Sequence, residues 1–155
     1  SGVVVRVSSN VLPPAPVVWF IRQISSWFPM MQVPDDSLAN TYEEAFGDPV
    51  QAAKARTDPL VTIERPRLRF VDEVLGTTQR LFNNLEQVTS PLLIMHGGAD
   101  IRSEPENSEA LYRRARSSDK TLRLFEGMMH QLFQDIPEKT EEVMSVVVEW
   151  LSARV

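Results

Sequence analysis

The second half of the chain alternates between the apolar spacing of strands and the apolar spacing of helices. Leu92–Met95 and Thr121–Phe125 are short runs rich in apolar residues, which predicts two strands. Each run is followed by apolar residues at helical spacing, over Asn107–Arg116 and Glu138–Arg154. A strand–helix–strand–helix order with short joints is typical of parallel strands joined by crossover helices. We therefore predict an α/β fold for this half.

The segment 8–66 has a different pattern, because most of the chain's 11 prolines divide it into short pieces. Between Pro16 and Pro29 the apolar residues follow i, i+3, i+4, i+7 spacing, which predicts a strongly apolar amphipathic helix. Two shorter helices are predicted over Ser37–Ala45 and Pro49–Arg56. The segment is therefore expected to be a helical insertion and not part of a sheet.

The remaining elements suggest one incomplete domain. Val3–Val7 is rich in valine and predicts a buried strand, whose neighbours in a sheet have to come from elsewhere. Residues 67–86 predict a further helix. A length of 155 residues fits one domain or part of a larger one. We predict a partial domain over 1–155, with 8–66 as a helical cap and 67–155 as the C-terminal part of an α/β core.

Composition and charge exclude several classes of function. A net charge of −5 and a pI near 5.1 argue against a nucleic-acid partner. The absence of cysteine excludes disulfides, thiolate metal sites and a cysteine nucleophile, and two histidines without a close acid cluster do not suggest zinc. The longest apolar run, Val17–Ile21, is too short to cross a bilayer, and we expect no signal peptide from the opening residues. The expected localisation is cytoplasmic.

The candidate chemistry lies at the ends of the two predicted strands. Asp100 follows the first strand after a Gly97-Gly98 turn, and His130 lies in the loop after the second strand. Ligands and catalytic groups gather at the carboxyl edge of open parallel sheets. An acid followed by a histidine at this edge matches two members of the serine-hydrolase triad. The third member, a serine in a G-x-S-x-G turn, has no match at that spacing.

Each of these polar residues also has a purely structural interpretation. Asp100 could equally cap the next helix or turn. His130 could be a partly buried histidine bonded to the backbone, although Asp100 at the matching edge favours catalysis. For His96, at the end of the first strand, a satisfied histidine near the core is favoured over a base or a ligand.

Aromatic residues are concentrated in the predicted cap. They form either core packing or a surface for acyl chains and membranes, and the two roles are compatible. We expect substrate contacts from the cap and from the residue before His130, namely Trp19, Phe20, Trp27, Phe28 and Met129.

Two segments closely resemble the C-terminal part of the monoacylglycerol lipase family of α/β-hydrolases. The first is Val88–Asp100, which contains the apolar strand and the Gly97-Gly98 turn, and the second is Asp119–His130. This family includes lysophospholipase-like enzymes and the plant caffeoylshikimate esterases. Further stretches agree with the family or its plant-like branch: Val11–Pro14, Ala45–Pro49, Arg65–Leu68, Pro105–Tyr112 and Glu149–Arg154.

The resemblance implies a role for each part of the chain. Asp100 would be the triad acid, His130 the triad base, and 8–66 the cap over a pocket for a lipid or aromatic ester. No cofactor is implied. The family carries its His-Gly oxyanion motif and its nucleophile elbow in an N-terminal part that precedes the segments matched here. The chain is therefore expected to be an acid-and-base half, inactive alone, since losing the nucleophile of a well-studied serine protease costs on the order of 10⁶ in kcat.

Two other functions stay open. The chain could be a non-catalytic hydrolase-like module that binds a lipid or a protein through its cap, or its activity could be that of a peptidase or thioesterase. The presence of both Asp100 and His130 favours the ester hydrolase. A partial fold leaves sheet edges uncovered, which predicts a dimer, a swapped oligomer or a covering partner. The apolar, aromatic-rich cap also predicts peripheral contact with a membrane.

Overall fold

The computed structural model describes residues 6–7, 14–33, 42–61 and 64–155, with backbone alone for Tyr42 and Glu43. Its helices and strands follow in chain order: α1 (Ala15–Trp27), α2 (Tyr42–Ala45), α3 (Pro49–Thr57), α4 (Leu68–Asn83), β1 (Leu92–Gly97), α5 (Pro105–Arg114), β2 (Lys120–Phe125) and α6 (Pro137–Ser152). A short 3₁₀ turn, Leu85–Gln87, follows α4.

Most predicted elements are confirmed, with small changes at their ends. The helix predicted over 67–86 ends at Asn83, and its last residues form the 3₁₀ turn. Of the helix predicted over Ser37–Ala45, the structure describes only the final turn, and residues 34–41 lie outside the described ranges. The strand predicted over Val3–Val7 falls largely outside them as well, and its last two residues have no strand structure.

The two strands form a parallel pair, as their order in the sequence predicts. They run in register from Leu92 opposite Lys120 to Gly97 opposite Phe125. The connecting helix α5 packs against both strands, so the connection is a β–α–β crossover. Because the strands are parallel and in register, the loops that follow them leave from the same edge of the sheet.

Helices cover both faces of this sheet. Ile94 is fully buried on one face, with Leu111 of α5 and Leu85 of the 3₁₀ turn. Its neighbour Met95 packs on the other face, against a cluster that includes Val143 of α6. Successive side chains of a strand point to opposite faces, so one short strand supplies both layers. The predicted partial α/β fold with flanking helices is confirmed.

A separate apolar cluster joins α1 to α4. Its buried members are Ile21, Val33, Leu68, Val71 and Leu75. The Oγ atom of Ser25 donates to Asp72 Oδ2 at 2.8 Å across this interface, and the backbone after α1 pairs with the residue just before α4. The first helix is therefore held mainly by α4 and not by the sheet.

No helix in the described ranges is both long enough and apolar enough to cross a membrane.

Candidate active site

Glycine lets the loops after β1 and β2 approach each other closely. A Cβ atom on Gly97 would collide with the backbone carbonyl groups of Met128 and Met129. Next to it, the Gly98 N–H donates to Phe125 O at 2.7 Å, and the Ala99 N–H donates to Met128 O at 2.9 Å. The acid-bearing and histidine-bearing loops are thus fixed to each other through backbone atoms.

The turn after β2 depends on Gly127. Its φ of +67° is the only positive value among the described residues, and L side chains seldom adopt it. The turn closes with a hydrogen bond from the Met128 N–H to Phe125 O at 3.2 Å. The chain then runs back over the end of β1, and this brings His130 above Asp100.

Asp100 and His130 lie within hydrogen-bond distance, as the parallel strand order predicts. His130 Nδ1 lies 2.8 Å from Asp100 Oδ2. The Asp100 side chain is inaccessible to solvent, whereas that of His130 is 18% exposed. A carboxylate only accepts hydrogen bonds, so Nδ1 carries the proton and Nε2 is the basic nitrogen of the neutral ring. This is the tautomer in which a triad histidine works, and its catalytic role here stays a prediction.

Asp100 also caps the turn that follows it, as its structural interpretation predicts. Its Oδ1 atom accepts from the backbone N–H groups of Arg102 at 2.8 Å and Ser103 at 3.1 Å. Its Oδ2 atom, which faces His130, also accepts from the Ser103 hydroxyl at 2.6 Å. Asp100 therefore closes its own turn with one oxygen and holds the histidine with the other.

These contacts keep Asp100 ionised. Burial alone would raise the pKa of the carboxyl group, but hydrogen bonds from His130, His96 and Ser103 favour the charged form. The net effect holds the pKa of Asp100 far below its usual range. A negative charge thus persists beside the imidazole at every pH at which the protein would work.

His96 is a fully buried histidine with partners on both ring nitrogens, as predicted. Nδ1 lies 2.6 Å from Ser108 Oγ, and Nε2 lies 2.6 Å from Ser103 O. The sequence reasoning missed that Nε2 also lies 3.2 Å from Asp100 Oδ2. It missed Ser103 and Ser108 too. Both follow Asp100 closely in the chain, Ser103 in the turn after β1 and Ser108 in α5.

Ser103 does not have the position of a triad nucleophile. Its side chain is buried, and its hydroxyl lies 3.3 Å from Nδ1 of His130. A nucleophile has to face Nε2, the nitrogen away from the acid. Ser103 instead supports the carboxylate of Asp100.

The predicted substrate-contacting residues lie in two places. Met129 is half-buried directly beside His130. The aromatic residues of α1 and its end are mostly exposed: Trp19 63%, Phe20 56%, Trp27 81% and Phe28 61%. Their part in substrate binding stays a prediction.

A cavity of about 420 Å³, which was not foreseen from the sequence, is lined by residues close in the chain to Asp100 and His130. Arg102 and Gln131, which follow Asp100 and His130 closely in the chain, form one side of it. Residues of α2 and α3, including Ala45 and Lys54, form the other side. The Gln131 N–H donates to Ala45 O at 2.8 Å, which ties the two sides together. The cavity wall is mixed, with polar side chains such as Arg102 and Lys54 beside apolar ones such as Phe46, unlike the aromatic face of α1.

The sequence and the structure were compared with known proteins. A protein-family model described as "Serine aminopeptidase, S33" matches residues 1–137. Caffeoylshikimate esterase of Arabidopsis thaliana is 34% identical over 79% of this chain and 36% of its own length. Human monoglyceride lipase is 32% identical over 63% of this chain and 32% of its own length. The chain thus spans about a third of the length of these relatives.

Solved structures agree with the fold. A monoacylglycerol lipase of Paleococcus ferrophilus superposes with a TM-score of 0.80 and 27% identity, over 92% of this chain and 54% of that one. A soluble variant of monoglyceride lipase from Saccharomyces cerevisiae, solved with a substrate analogue, gives a TM-score of 0.81 at 19% identity, which bears on the fold alone. With a parallel strand pair, an acid and a histidine at its edge, and a family match over most of its length, this chain belongs to the serine aminopeptidase S33 family of α/β-hydrolases.

Proposed function

We propose that this chain is the acid-and-base half of a serine-type carboxylic ester hydrolase. Asp100 is the triad acid and His130 the triad base, and the nucleophilic serine comes from outside these 155 residues. The observation that carries the proposal is the 2.8 Å hydrogen bond between His130 Nδ1 and a buried, ionised Asp100. Without the nucleophile, the chain is inactive by itself.

The mechanism follows from this geometry. The serine attacks the ester carbonyl while Nε2 of His130 takes its proton, and the same nitrogen then protonates the leaving alcohol. Asp100 holds the ring in the Nδ1–H tautomer and stabilises the positive charge that forms on it. Water repeats the cycle on the acyl-enzyme. The oxyanion hole uses the amide after the nucleophile, so it too comes from outside these residues.

The proposed substrate is a small lipid or aromatic ester. The relatives named monoglyceride lipase and caffeoylshikimate esterase support both kinds. Residues 8–66 would form the cap over the site, with Trp19, Phe20, Trp27 and Phe28 on the acyl or aromatic group. Met129, beside His130, would contact the substrate near the reacting bond. The 420 Å³ cavity, which has polar side chains on part of its wall, would take the alcohol side of the ester.

The exposed apolar surfaces support two proposals about partners. The aromatic face of α1 would contact a membrane surface, because large exposed apolar patches mark such sites. The edges of the strand pair β1–β2 and the outer face of α6, where Met144, Val148 and Leu151 are about half exposed, would be covered by a second copy or by a partner. A non-catalytic module that binds lipid through α1 is the alternative that this same face favours.

Fluorophosphonate labelling of the 155-residue chain, read by intact mass, tests the absence of a nucleophile. We expect no stoichiometric adduct with the wild type or with His130→Ala. An adduct on the wild type that the His130→Ala variant loses would show that one of the serines present is a nucleophile, and the acid-and-base-half proposal would be wrong. A diisopropylphosphate adduct on a complete serine hydrolase in the same run is the positive control.

A further inference from the structure

We propose that His96 is a positioning residue that fixes the Asp100 carboxylate for His130, by donating its Nε2–H to Asp100 Oδ2 and to the carbonyl of Ser103. The inference deepens the proposed function, since it names a third residue in the same site. It rests on the acid–histidine pair, but its test does not depend on ester hydrolysis.

The tautomer of His96 follows from its neighbours. Nε2 lies 2.6 Å from Ser103 O and 3.2 Å from Asp100 Oδ2. A carbonyl and an ionised carboxylate only accept hydrogen bonds, so Nε2 carries a proton. In the neutral ring Nδ1 is then an acceptor, and the Ser108 hydroxyl, 2.6 Å away, donates to it. The two acceptors at Nε2 thus select the tautomer that points a donor at Asp100, and the Ser108 hydroxyl, which can donate or accept, adapts to it.

The same carboxylate oxygen is the meeting point of three donors. Asp100 Oδ2 accepts from His130 Nδ1 at 2.8 Å and from Ser103 Oγ at 2.6 Å, and His96 Nε2, the third donor of the proposal, lies 3.2 Å away. The two backbone N–H groups on Oδ1 fix the other end of the group. A carboxylate held on both oxygens cannot rotate, so the direction in which it accepts from His130 is set before a substrate arrives.

Burial makes this arrangement hard to replace. His96 and Ser108 are 0% exposed, Ser103 is 1% exposed and Asp100 is 4% exposed. Water therefore cannot substitute for a donor that is lost, and the group left without a partner bears the full cost of desolvation. His96, which lies in β1, contacts Asp100 from the buried side, while His130 contacts it from the solvent side. This separates a residue that orients the acid from one that moves a proton.

The composition of the chain gives a direct test, because it contains only two histidines. A long-range ¹H–¹⁵N spectrum of the imidazole rings in the ¹⁵N-labelled chain reports the tautomer of each. We expect His96 as the Nε2–H tautomer and His130 as the Nδ1–H tautomer. An Nδ1–H tautomer on His96 would contradict the proposal even if no variant could be made.

Two substitutions at the same position then separate orientation from packing. His96→Phe keeps the ring shape and removes both polar contacts, and we expect the His130 signals to shift from one tautomer to the mixture of an exposed imidazole. His96→Gln has an amide that can donate to Asp100 and a carbonyl that can accept from Ser108, and we expect it to restore the Nδ1–H tautomer of His130. Ser108→Ala serves as the control that removes only the Nδ1 contact, and His130 should keep its tautomer.

The outcomes also distinguish this inference from the proposed function. A folded His96→Phe chain in which His130 remains in a single Nδ1–H tautomer would overturn the positioning role. If His96→Phe does not fold, failure of His96→Gln to preserve the wild-type tautomer of His130 would overturn it as well. None of these spectra involves ester hydrolysis, so an inactive complete protein would defeat the proposed function and leave the positioning result standing.

Discussion

The two parts of the molecule that carry its candidate chemistry are built in opposite ways. Asp100 is 4% exposed, and every oxygen of its side chain has several donors. Trp27, at the end of α1, is 81% exposed, and its neighbour Phe28 is 61% exposed. The edge of the sheet has a completed network of internal contacts. The face of α1 offers apolar surface that nothing in the described ranges covers.

This contrast separates residues that are held at fixed distances from one another from residues that are exposed for binding. A buried polar network is costly to leave incomplete, so its members are fixed relative to each other and suit chemistry that needs accurate distances. An exposed aromatic face contributes little to folding and gains free energy only when something else covers it. Substitutions should therefore act on chemistry at the sheet edge and on binding at α1.

The largest expected effect is that of Asp100→Asn on ester hydrolysis by the longer protein that supplies the serine. An amide in place of the carboxylate favours the wrong tautomer of His130, and in a well-studied serine protease this change lowers kcat about 10⁴-fold. We expect a loss of that order, measured as kcat for a short-chain monoacylglycerol.

The matched control for this change is Asp48→Asn. Asp48 caps α3 by accepting from the Val50 N–H at 2.9 Å, and asparagine caps equally well. Its activity should stay within about twofold of the wild type on the same grounds. Equal losses in the two variants, or none in either, would show that Asp100 has no special role in the reaction.

The acid–histidine pair was accessible from the sequence because it depends on a regular feature. Two apolar strands with one helix between them are parallel, and the residues after them meet at one edge. The network beneath Asp100 was not accessible, because the position of the Ser103 hydroxyl depends on a turn that the Asp100 side chain itself closes. Local composition does not specify such a turn.

The packing of the first half was also only partly predictable. Helical spacing found α1 and α3, with ends within about two residues of those observed. It did not show that α1 lies on α4, since that contact joins residues far apart in the chain, such as Ile21 and Val71, which local spacing does not relate to each other. The boundary predicted between a cap and a core at 66/67 stays a prediction for the same reason.

The next largest effect concerns the approach of the two loops. In Gly97→Ala the added methyl group would meet the backbone carbonyl groups of Met128 and Met129, which cannot yield as a flexible side chain could. We expect the free energy of unfolding to fall by about 3 kcal/mol, near the upper end for overpacked sites. Urea unfolding of the 155-residue chain measures this change.

Gly76→Ala gives the opposite sign in the same measurement. Gly76 lies within α4, and the nearest atom to an added methyl group is the flexible end of Arg80, 3.3 Å away. Alanine in a helix interior is favoured over glycine by about 1 kcal/mol, so this variant should be more stable. A Gly97→Ala chain as stable as the wild type would mean that the loops do not interlock as described.

The smallest effect on stability, and the sharpest test of the contrast, uses the two faces of α1. Trp19→Ser with Trp27→Ser removes exposed aromatic surface, and tryptophan and serine have similar helix propensities. We expect the free energy of unfolding to change by no more than about 0.5 kcal/mol. Ile21→Ala, on the buried face of the same helix, should cost roughly 2–5 kcal/mol.

Co-sedimentation with phosphatidylcholine vesicles should show the reverse order of effects for these two variants. The double serine variant should bind at least about tenfold more weakly, because burying a large apolar side chain contributes roughly 1.5–3 kcal/mol, while folded Ile21→Ala should bind like the wild type. Unchanged vesicle binding by the serine variant would remove the membrane from the proposed partners and leave substrate or a second copy of the chain as the occupant of this face.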